Sequence, residues 1–206
     1  FYENDGTSQK PSFAAAVANP FGLDNNVSGF GIVSSPTLAD IDGDGDLDLI
    51  FGGGYFSQNT GTAKNPVFDG SVATQPGLTP AGFYSTPTFV DIDGDGDLDL
   101  FVQRDHYQFS GVEFFRNIGT ASNPLFYQDT PTRFGLSDAG NYVSLTFADI
   151  DGDGDKDGFI GISFFQNSGT ATVAVNLPSF SSFIWDTGID NTTLSFTPSA
   201  TFVDID

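Results

Sequence analysis

Aspartate recurs at every second position in three short stretches of this 206-residue chain. DIDGDGDLDL runs from Asp40 to Leu49 and again from Asp91 to Leu100, and DIDGDGDKDG runs from Asp149 to Gly158. Alternate residues of a tightly turned loop can direct successive carboxylates at one centre, and glycine at the sixth position permits the sharp turn. Because calcium takes about six to eight oxygen ligands, this spacing predicts three calcium-binding loops.

The first loop illustrates the pattern. With Asp40 as position 1, carboxylates follow at Asp42, Asp44 and Asp48, and Asp46 at position 7 is expected to offer its backbone carbonyl. An EF-hand is excluded because it ends with Glu at position 12 inside a helical frame, whereas these flanks are typical of strands. Magnesium is a weaker candidate because it retains waters. Metals that prefer sulfur or nitrogen lack partners, since the chain has no Cys and one His.

Net charge supports the same interpretation. The chain has 27 acidic and 6 basic residues, a formal charge of -21, and this sign argues against nucleic-acid binding. Seventeen of the acidic residues lie in the three loops and in a terminal pair, Asp204 and Asp206. Such carboxylates repel one another unless a cation neutralises them. The alternative is a solvated acidic turn without an ion, and for the terminal pair alone this alternative is the better one unless another segment completes the site.

A repeat of 51 to 58 residues positions these loops. A second landmark follows each loop: FSQNTGT from Phe56, FFRNIGT from Phe114 and FFQNSGT from Phe164, with a further copy, FYENDGT, at Phe1. The pattern predicts one repeat domain over 1–206 with three complete units and one unit split between the ends. The expected divisions are 1–33, 34–83, 84–142, 143–195 and 196–206.

Each unit contains signals for about four short strands bounded by Gly, Pro, Asn or Asp. In the first complete unit they are Pro36–Asp40, Leu47–Gly53, a stretch ending at the Asn-x-Gly, and Pro66–Phe68. Four-stranded repeats of this length predict an all-β fold of the β-propeller type, with antiparallel strands. We also expect a positive φ at the glycine of each hairpin landmark, with the following Thr hydroxyl satisfying loop backbone groups. These glycines are Gly6, Gly61, Gly119 and Gly169.

DIDGDGDLDL, followed by FGG at 51–53 and by FFRNIGT, resembles the FG-GAP/VCBS repeat of integrin-like β-propellers and large secreted bacterial proteins. The resemblance covers nearly the whole chain. It implies a calcium-stabilised propeller, an extracellular or cell-surface location, and a role in adhesion, carbohydrate binding or surface structure. The ligand set that it implies is Asp40, Asp42, Asp44, Asp46 and Asp48; Asp91, Asp93, Asp95, Asp97 and Asp99; and Asp149, Asp151, Asp153, Asp155 and Asp157, with Asp204 and Asp206 in a possible fourth site.

Catalysis is not expected. The chain lacks HExxH, GxSxG and phosphate-loop motifs, its single His106 lies in a polar stretch, and its two glutamates have no evident catalytic partner. No apolar run is long enough to cross a bilayer. Asn26 and Asn191 each begin an N-glycosylation acceptor pattern.

Two function classes remain. One is an extracellular structural or adhesive repeat protein, and the other is a calcium-dependent, lectin-like closed propeller that binds glycans. The divided unit bears on this choice, because residues 1–13 and 196–206 would complete each other within one chain or between chains. Four blades would be a small ring, so we favour head-to-tail assembly of copies, or of neighbouring repeats, into a filament or surface array.

Overall fold

The structure is a computed structural model, and its description covers eleven stretches of the chain. None of the helices described there is long and apolar enough to cross a membrane, and the helical element it contains is a single 3-10 turn at Pro20–Gly22. The described residues are 1–18, 20–23, 35–51, 55–68, 73–74, 77–78, 85–106, 109–129, 144–160, 163–167 and 180–183.

The strands form three four-stranded sheets, each antiparallel and each ordered along the chain without a crossover. This up-and-down arrangement is the topology of a propeller blade, so the predicted all-β fold built from four-stranded repeats is confirmed. The first sheet contains β1 (Thr37–Ala39), β2 (Asp48–Phe51), β3 (Tyr55–Ser57) and β4 (Ala73–Thr74); the second contains β5 (Ser85–Val90), β6 (Asp99–His106), β7 (Phe109–Asn117) and β8 (Phe126–Asp129); the third contains β9 (Leu145–Ala148), β10 (Asp157–Ile160), β11 (Ser163–Asn167) and β12 (Phe180–Phe183).

The fourth strand of the first sheet lies later than the sequence predicts. We expected it at Pro66–Phe68, but the ladder with β3 is formed by Ala73–Thr74. Pro66 has no N–H to donate, and the N–H of Val67 donates to the side chain of Asn59 at 2.9 Å. The carbonyl of Val67 accepts the N–H of Thr60 at 2.8 Å, and Phe68 forms an isolated bridge with Asn59 and donates its N–H to the carbonyl of Phe21 at 2.7 Å.

The middle sheet is covered on both faces. Successive residues of a strand point to opposite sides, so Leu100 and Phe115 join the core against the first sheet while Phe101 and Phe114 join the core against the third. Phe101 packs against Phe147 of the third sheet with ring centroids 4.6 Å apart. The adjacent pairs Phe114/Phe115 and Phe164/Phe165 follow the acidic loops, and strand alternation predicts that one member of each pair faces the core and the other faces away. In the middle sheet both members are buried, because each face has a sheet packed on it.

Threonines at one repeat position join neighbouring sheets through their first strands. The Thr37 hydroxyl donates to the backbone carbonyl of Pro87 at 2.8 Å, and the Thr88 hydroxyl donates to that of Leu145 at 3.2 Å. Each Thr stands three residues before the first Asp of its loop. The same contact therefore recurs at both junctions and gives them a common geometry.

Residues 1–17, here called the N-terminal hairpin, repeat the landmark hairpin. Bridges join Asn4 to Phe13 and Thr7 to Lys10. The predicted partner segment, residues 196–206, lies outside the described residues.

Candidate metal centres

Each acidic loop connects the first strand of its sheet to the second. In every loop the first three alternating aspartates offer carboxylate oxygens within 4.8 Å of one another, close enough to share one metal ion. The structure thus brings together three groups from the predicted set. They are Asp40, Asp42 and Asp44; Asp91, Asp93 and Asp95; and Asp149, Asp151 and Asp153.

Glycines between the aspartates produce this convergence. Gly43 and Gly45 have φ values of 70° and 93°, in the left-handed region that side chains disfavour. Two such turns on alternate residues keep the intervening carboxylates on the inner side of the loop. The prediction that glycine at position 6 permits a sharp turn is confirmed, and the other two loops have the same conformation.

Backbone amides fix the first aspartate of each loop. The N–H of Gly45 donates to Oδ2 of Asp40 at 3.0 Å, and the N–H of Gly96 donates to Oδ2 of Asp91 at 3.1 Å. The third loop has the same contact, from Gly154 to Asp149 at 3.1 Å. One carboxylate oxygen therefore closes the turn.

Several other carboxylate oxygens in these loops are buried without a hydrogen-bond partner. In the first loop they are Oδ1 of Asp40, Asp42 and Asp46, and in the second they are Oδ1 of Asp93 and Asp97. A buried polar atom without a partner costs roughly 1–3 kcal/mol, and more when it is charged. A cation shared by these oxygens would remove that cost, so the residues present fit an oxygen-coordinated metal ion.

The ninth residue of each loop has a structural role that the sequence did not reveal. Both oxygens of Asp99 accept backbone N–H groups, one from Ile92 at 3.3 Å and one from Asn117 at 2.8 Å. Asp48 and Asp157 make the equivalent pair of bonds. This aspartate therefore ties the acidic loop to the asparagine of the hairpin landmark. That Asp48, Asp99 and Asp157 are also metal ligands stays a prediction.

Burial makes these carboxylates hard to ionise. It raises the pKa of Asp48 and of Asp97 to about 6 and that of Asp99 to about 8, and backbone hydrogen bonds to Asp48 and Asp99 oppose the rise. The pKa values of Asp46 and Asp157 are raised for the same primary reason. Without a cation, the loops hold negative charge at a cost in free energy.

Glutamines in the hairpin landmark were missed from the sequence. The side-chain amide of Gln58 donates to Oδ2 of Asp42 at 2.7 Å, and that of Gln166 donates to Oδ2 of Asp151 at 2.7 Å. The other oxygen of Asp42 is buried without a hydrogen-bond partner, whereas that of Asp151 accepts the N–H of Asp153 at 3.3 Å. The sequence feature that could have identified these glutamines is their fixed position, immediately before the landmark asparagine.

The prediction about the landmark glycines is wrong where the structure tests it. Gly6, Gly61 and Gly119 do not have a left-handed φ, and Gly169 lies outside the described residues. Glycine is needed there for space: a Cβ on Gly119 would lie 2.8 Å from the backbone nitrogen of Leu125. The landmark asparagine makes the turn by accepting N–H groups with its side chain. The predicted role of the threonine hydroxyl is confirmed, since Thr120 accepts the N–H of Asn123 at 3.2 Å.

Some predicted features lie outside the described residues. These are Asp204 and Asp206 of the possible fourth site, the acceptor asparagines Asn26 and Asn191, and the side chain of His106.

This chain is similar to one family model and to a solved structure. No curated protein matches the chain. Among solved structures, it is similar to a lectin from Agrocybe aegerita, described by its specific recognition of non-reducing terminal N-acetylglucosamine. The identity is 21%, over 83% of this chain and 44% of the lectin, and the TM-score is 0.44. This chain thus spans less than half of the length of that lectin.

Among family models, the FG-GAP-like repeat matches residues 91–160. That stretch begins at the middle acidic loop and ends in the third sheet, so the resemblance seen in the sequence is confirmed: the chain carries an FG-GAP-like repeat.

Proposed function

We propose that this chain is an extracellular, calcium-binding structural or adhesive repeat protein without enzymatic activity. The observation that carries the proposal is the set of buried, unpartnered carboxylate oxygens in loops whose first three aspartates converge within 4.8 Å. Calcium fits this donor set better than magnesium, since it accepts many protein oxygens at flexible angles. The first three alternating aspartates of each loop would hold the ion.

A calcium ion would stiffen the unit as well as neutralise it. The first aspartate closes the loop turn, and the ninth joins the loop to the following hairpin. An ion held in the loop would therefore fix the turn that the ninth aspartate joins to the hairpin. This is a structural role, and it requires no reacting group.

Direct binding measurement tests the proposal. We expect isothermal titration calorimetry to give three calcium ions per chain, or four if the terminal pair forms a site. The variant Asp44→Asn, which keeps the acceptor for the N–H of Asp46, should lose one ion. Asp5→Asn, which removes an exposed charge outside the loops, is the matched control and should lose none. A wild-type chain that shows no calcium binding in this titration would contradict the proposal.

The calcium affinity of these sites tests whether the protein works outside cells. Sites that work outside cells bind calcium with a Kd of roughly 0.1–1 mM, which keeps them empty at cytosolic concentrations. We expect values in this range. A Kd below about 1 μM for all sites would instead suit a cytosolic buffer and would contradict the extracellular assignment.

The N-terminal hairpin supports self-assembly. Phe13 is 66% exposed, whereas Phe68 at the same repeat position is 5% exposed. Phe1 and Tyr2 of this hairpin are also exposed. We infer that strands of a second copy or of neighbouring repeats cover this apolar face, and that repetition of this contact produces a filament or surface array.

Light scattering and electron microscopy test the assembly. We expect calcium-dependent filaments from the wild-type chain and monomers from Phe13→Ser. Tyr127→Ser is the control, because Tyr127 is similarly exposed but lies in a complete sheet, and it should still assemble. Discrete monomers of the wild-type chain in calcium would contradict head-to-tail assembly. Selective binding in a glycan array under those conditions would favour the lectin alternative.

A further inference from the structure

The first acidic loop touches the hairpin of the next unit. A Cβ added to Gly43 would lie 3.2 Å from the carbonyl oxygen of Ala121 and 3.5 Å from its Cβ, so the two backbones approach closely. Gly43 stands between Asp42 and Asp44, two of the three aspartates that converge in this loop. Ala121 lies in the turn of the landmark hairpin of the middle unit. The candidate metal centre of one unit therefore borders the backbone of another.

The third loop offers a matched comparison. Gly152 holds the place of Gly43 in the repeat, and apart from its chain neighbours no atom in the described part of the chain lies within 4 Å of its Cβ position. The backbone conformation is the same, with φ values of 70° at Gly43 and 76° at Gly152. The two loops therefore share their local geometry and differ in this contact. Ala171, the counterpart of Ala121 in the third unit, lies outside the described residues.

The junction between the first and middle units has two kinds of contact. The Thr37 hydroxyl donates to the carbonyl of Pro87 at 2.8 Å, and one apolar core spans both sheets. These contacts do not involve the loop aspartates. The contact between Gly43 and Ala121, in contrast, is made by exposed residues and buries no large side chain. Its persistence therefore depends on how firmly the loop itself is held.

A cation would determine how firmly the first loop is held. Without one, its aspartates repel one another, and Oδ1 of Asp40, Asp42 and Asp46 is buried without a partner, although Asp46 is only 8% exposed. These costs favour opening of the loop. A bound ion would draw Asp42 and Asp44 to one centre. Because Gly43 connects those two residues, its backbone would be fixed with them.

Resting on the proposed calcium function, we propose that the first acidic loop is a calcium-controlled joint between the first and middle units. Calcium in this loop holds the landmark turn of the middle unit, residues 120–123, against the first unit. By linkage, the same contact favours calcium binding in the first loop by an equal factor. The stiffness of the junction then depends on calcium, as a structural or adhesive role for the chain would require.

Hydrogen exchange of the full chain, at a concentration where it is monomeric, tests the joint. The N–H groups of Thr120 and Asn123 bond across the turn at 3.2 and 3.0 Å, and calcium should slow their exchange. Asp44→Asn, which disables the first loop, should remove roughly fivefold or more of this protection. Asp153→Asn is the matched control in the third loop, since each of these aspartates accepts one N–H at 3.0 Å, and it should leave the protection unchanged.

An engineered disulfide tests the contact itself, since the chain has no cysteine. The 3.5 Å between the two Cβ positions lies at the short end of the range of about 3.5–4.5 Å that disulfides adopt. Gly43→Cys with Ala121→Cys should oxidise roughly fivefold faster or more in calcium than in chelator. The bridged protein should then keep the turn protected in chelator. Gly152→Cys with Ala121→Cys has the same φ cost and should form no bridge within the chain.

The outcomes separate the joint from the calcium function. If Asp44→Asn loses one ion by calorimetry but keeps the wild-type protection of the turn, the joint is overturned while the calcium function stands. A bridge between positions 43 and 121 that does not form, or that forms equally fast with and without calcium, would also overturn the joint. A wild-type chain that binds no calcium would overturn the calcium function itself.

Discussion

The N-terminal hairpin and the hairpin at residues 56–68 share a hydrogen-bond pattern but differ in burial. In both, the landmark asparagine accepts two N–H groups, at 3.1 and 3.1 Å for Asn4 and at 3.0 and 2.9 Å for Asn59. Yet Asn59 is buried and Asn4 is exposed. The local sequence therefore suffices to form the turn. In the first sheet, packing against the neighbouring strands and the bond from the Asn59 N–H to Asp48 at 2.9 Å accompany burial of the asparagine.

The matched phenylalanines should separate the two regions most strongly. Phe68→Ala removes a buried ring and should lower the free energy of unfolding by about 3–5 kcal/mol. Phe13→Ala removes an exposed ring at the same repeat position and should change it by less than about 0.5 kcal/mol when the protein is monomeric. Urea denaturation in calcium measures both. Equal losses of unfolding free energy in the two variants would show that the N-terminal hairpin is packed like the hairpin of a complete unit.

The landmark asparagines should give a smaller difference of the same sign. Asn117→Ala leaves the N–H groups of Gly119 and Leu125 without their acceptor beside a buried ladder, and should cost about 2–3 kcal/mol. In Asn4→Ala, water can replace the lost acceptor, so about 0.5 kcal/mol or less is expected. Thermal unfolding followed by circular dichroism would show this. A large loss in Asn4→Ala would indicate that its surroundings exclude water.

The pH dependence of folding stability should arise from the complete units and not from the N-terminal hairpin, because the raised carboxyl pKa values belong to complete units. In metal-free protein, burial raises the pKa of Asp99 to about 8 and of Asp48 to about 6, above the ordinary value of 3.8. The folded state then binds protons more tightly than the unfolded chain, so stability is greatest at low pH and falls as pH rises from about 4 to 8.

The change should be visible in the melting temperature. We expect metal-free protein to melt a few degrees lower at pH 8 than at pH 5, because about 1 kcal/mol shifts the midpoint of a chain this size by roughly 2–4 °C. Asp99→Asn should flatten this dependence, whereas Asp5→Asn should not. A higher melting temperature at pH 8 than at pH 5 in metal-free protein would contradict the burial of ionisable aspartates.

The sequence predicted the repeated parts of the molecule and missed what depends on contacts between sheets. Four strands per unit, the acidic turns and the hairpin threonine follow from short motifs whose geometry is local. The position of the fourth strand of the first sheet, at Ala73–Thr74, was not predicted from the local motif. Burial of both Phe114 and Phe115 was missed because it requires a sheet on each face.

In the candidate metal centres, too, the sequence predicted the local features and missed the contacts between distant residues. Spacing alone predicted that the first three alternating aspartates of each loop converge, since alternate residues of a glycine turn share one side. It did not reveal that Asp99 binds two backbone amides or that Gln58 orients Asp42. The bonds from Asn117 to Asp99 and from Gln58 to Asp42 join residues 18 and 16 positions apart, which a local motif does not encode. We predicted a left-handed φ at the hairpin glycines, but glycine is required there because a Cβ would not fit. Both constraints favour glycine, so the sequence does not distinguish them.

The melting temperature with and without calcium tests the central claim most directly. Three independent sites at a hundredfold excess over Kd would add about 8 kcal/mol to the stability of the folded state. We therefore predict that exhaustive chelation lowers the melting temperature of the wild-type chain by more than about 10 °C. Calcium should restore it, and magnesium at the same concentration should restore far less. An unchanged melting curve after chelation would contradict the account.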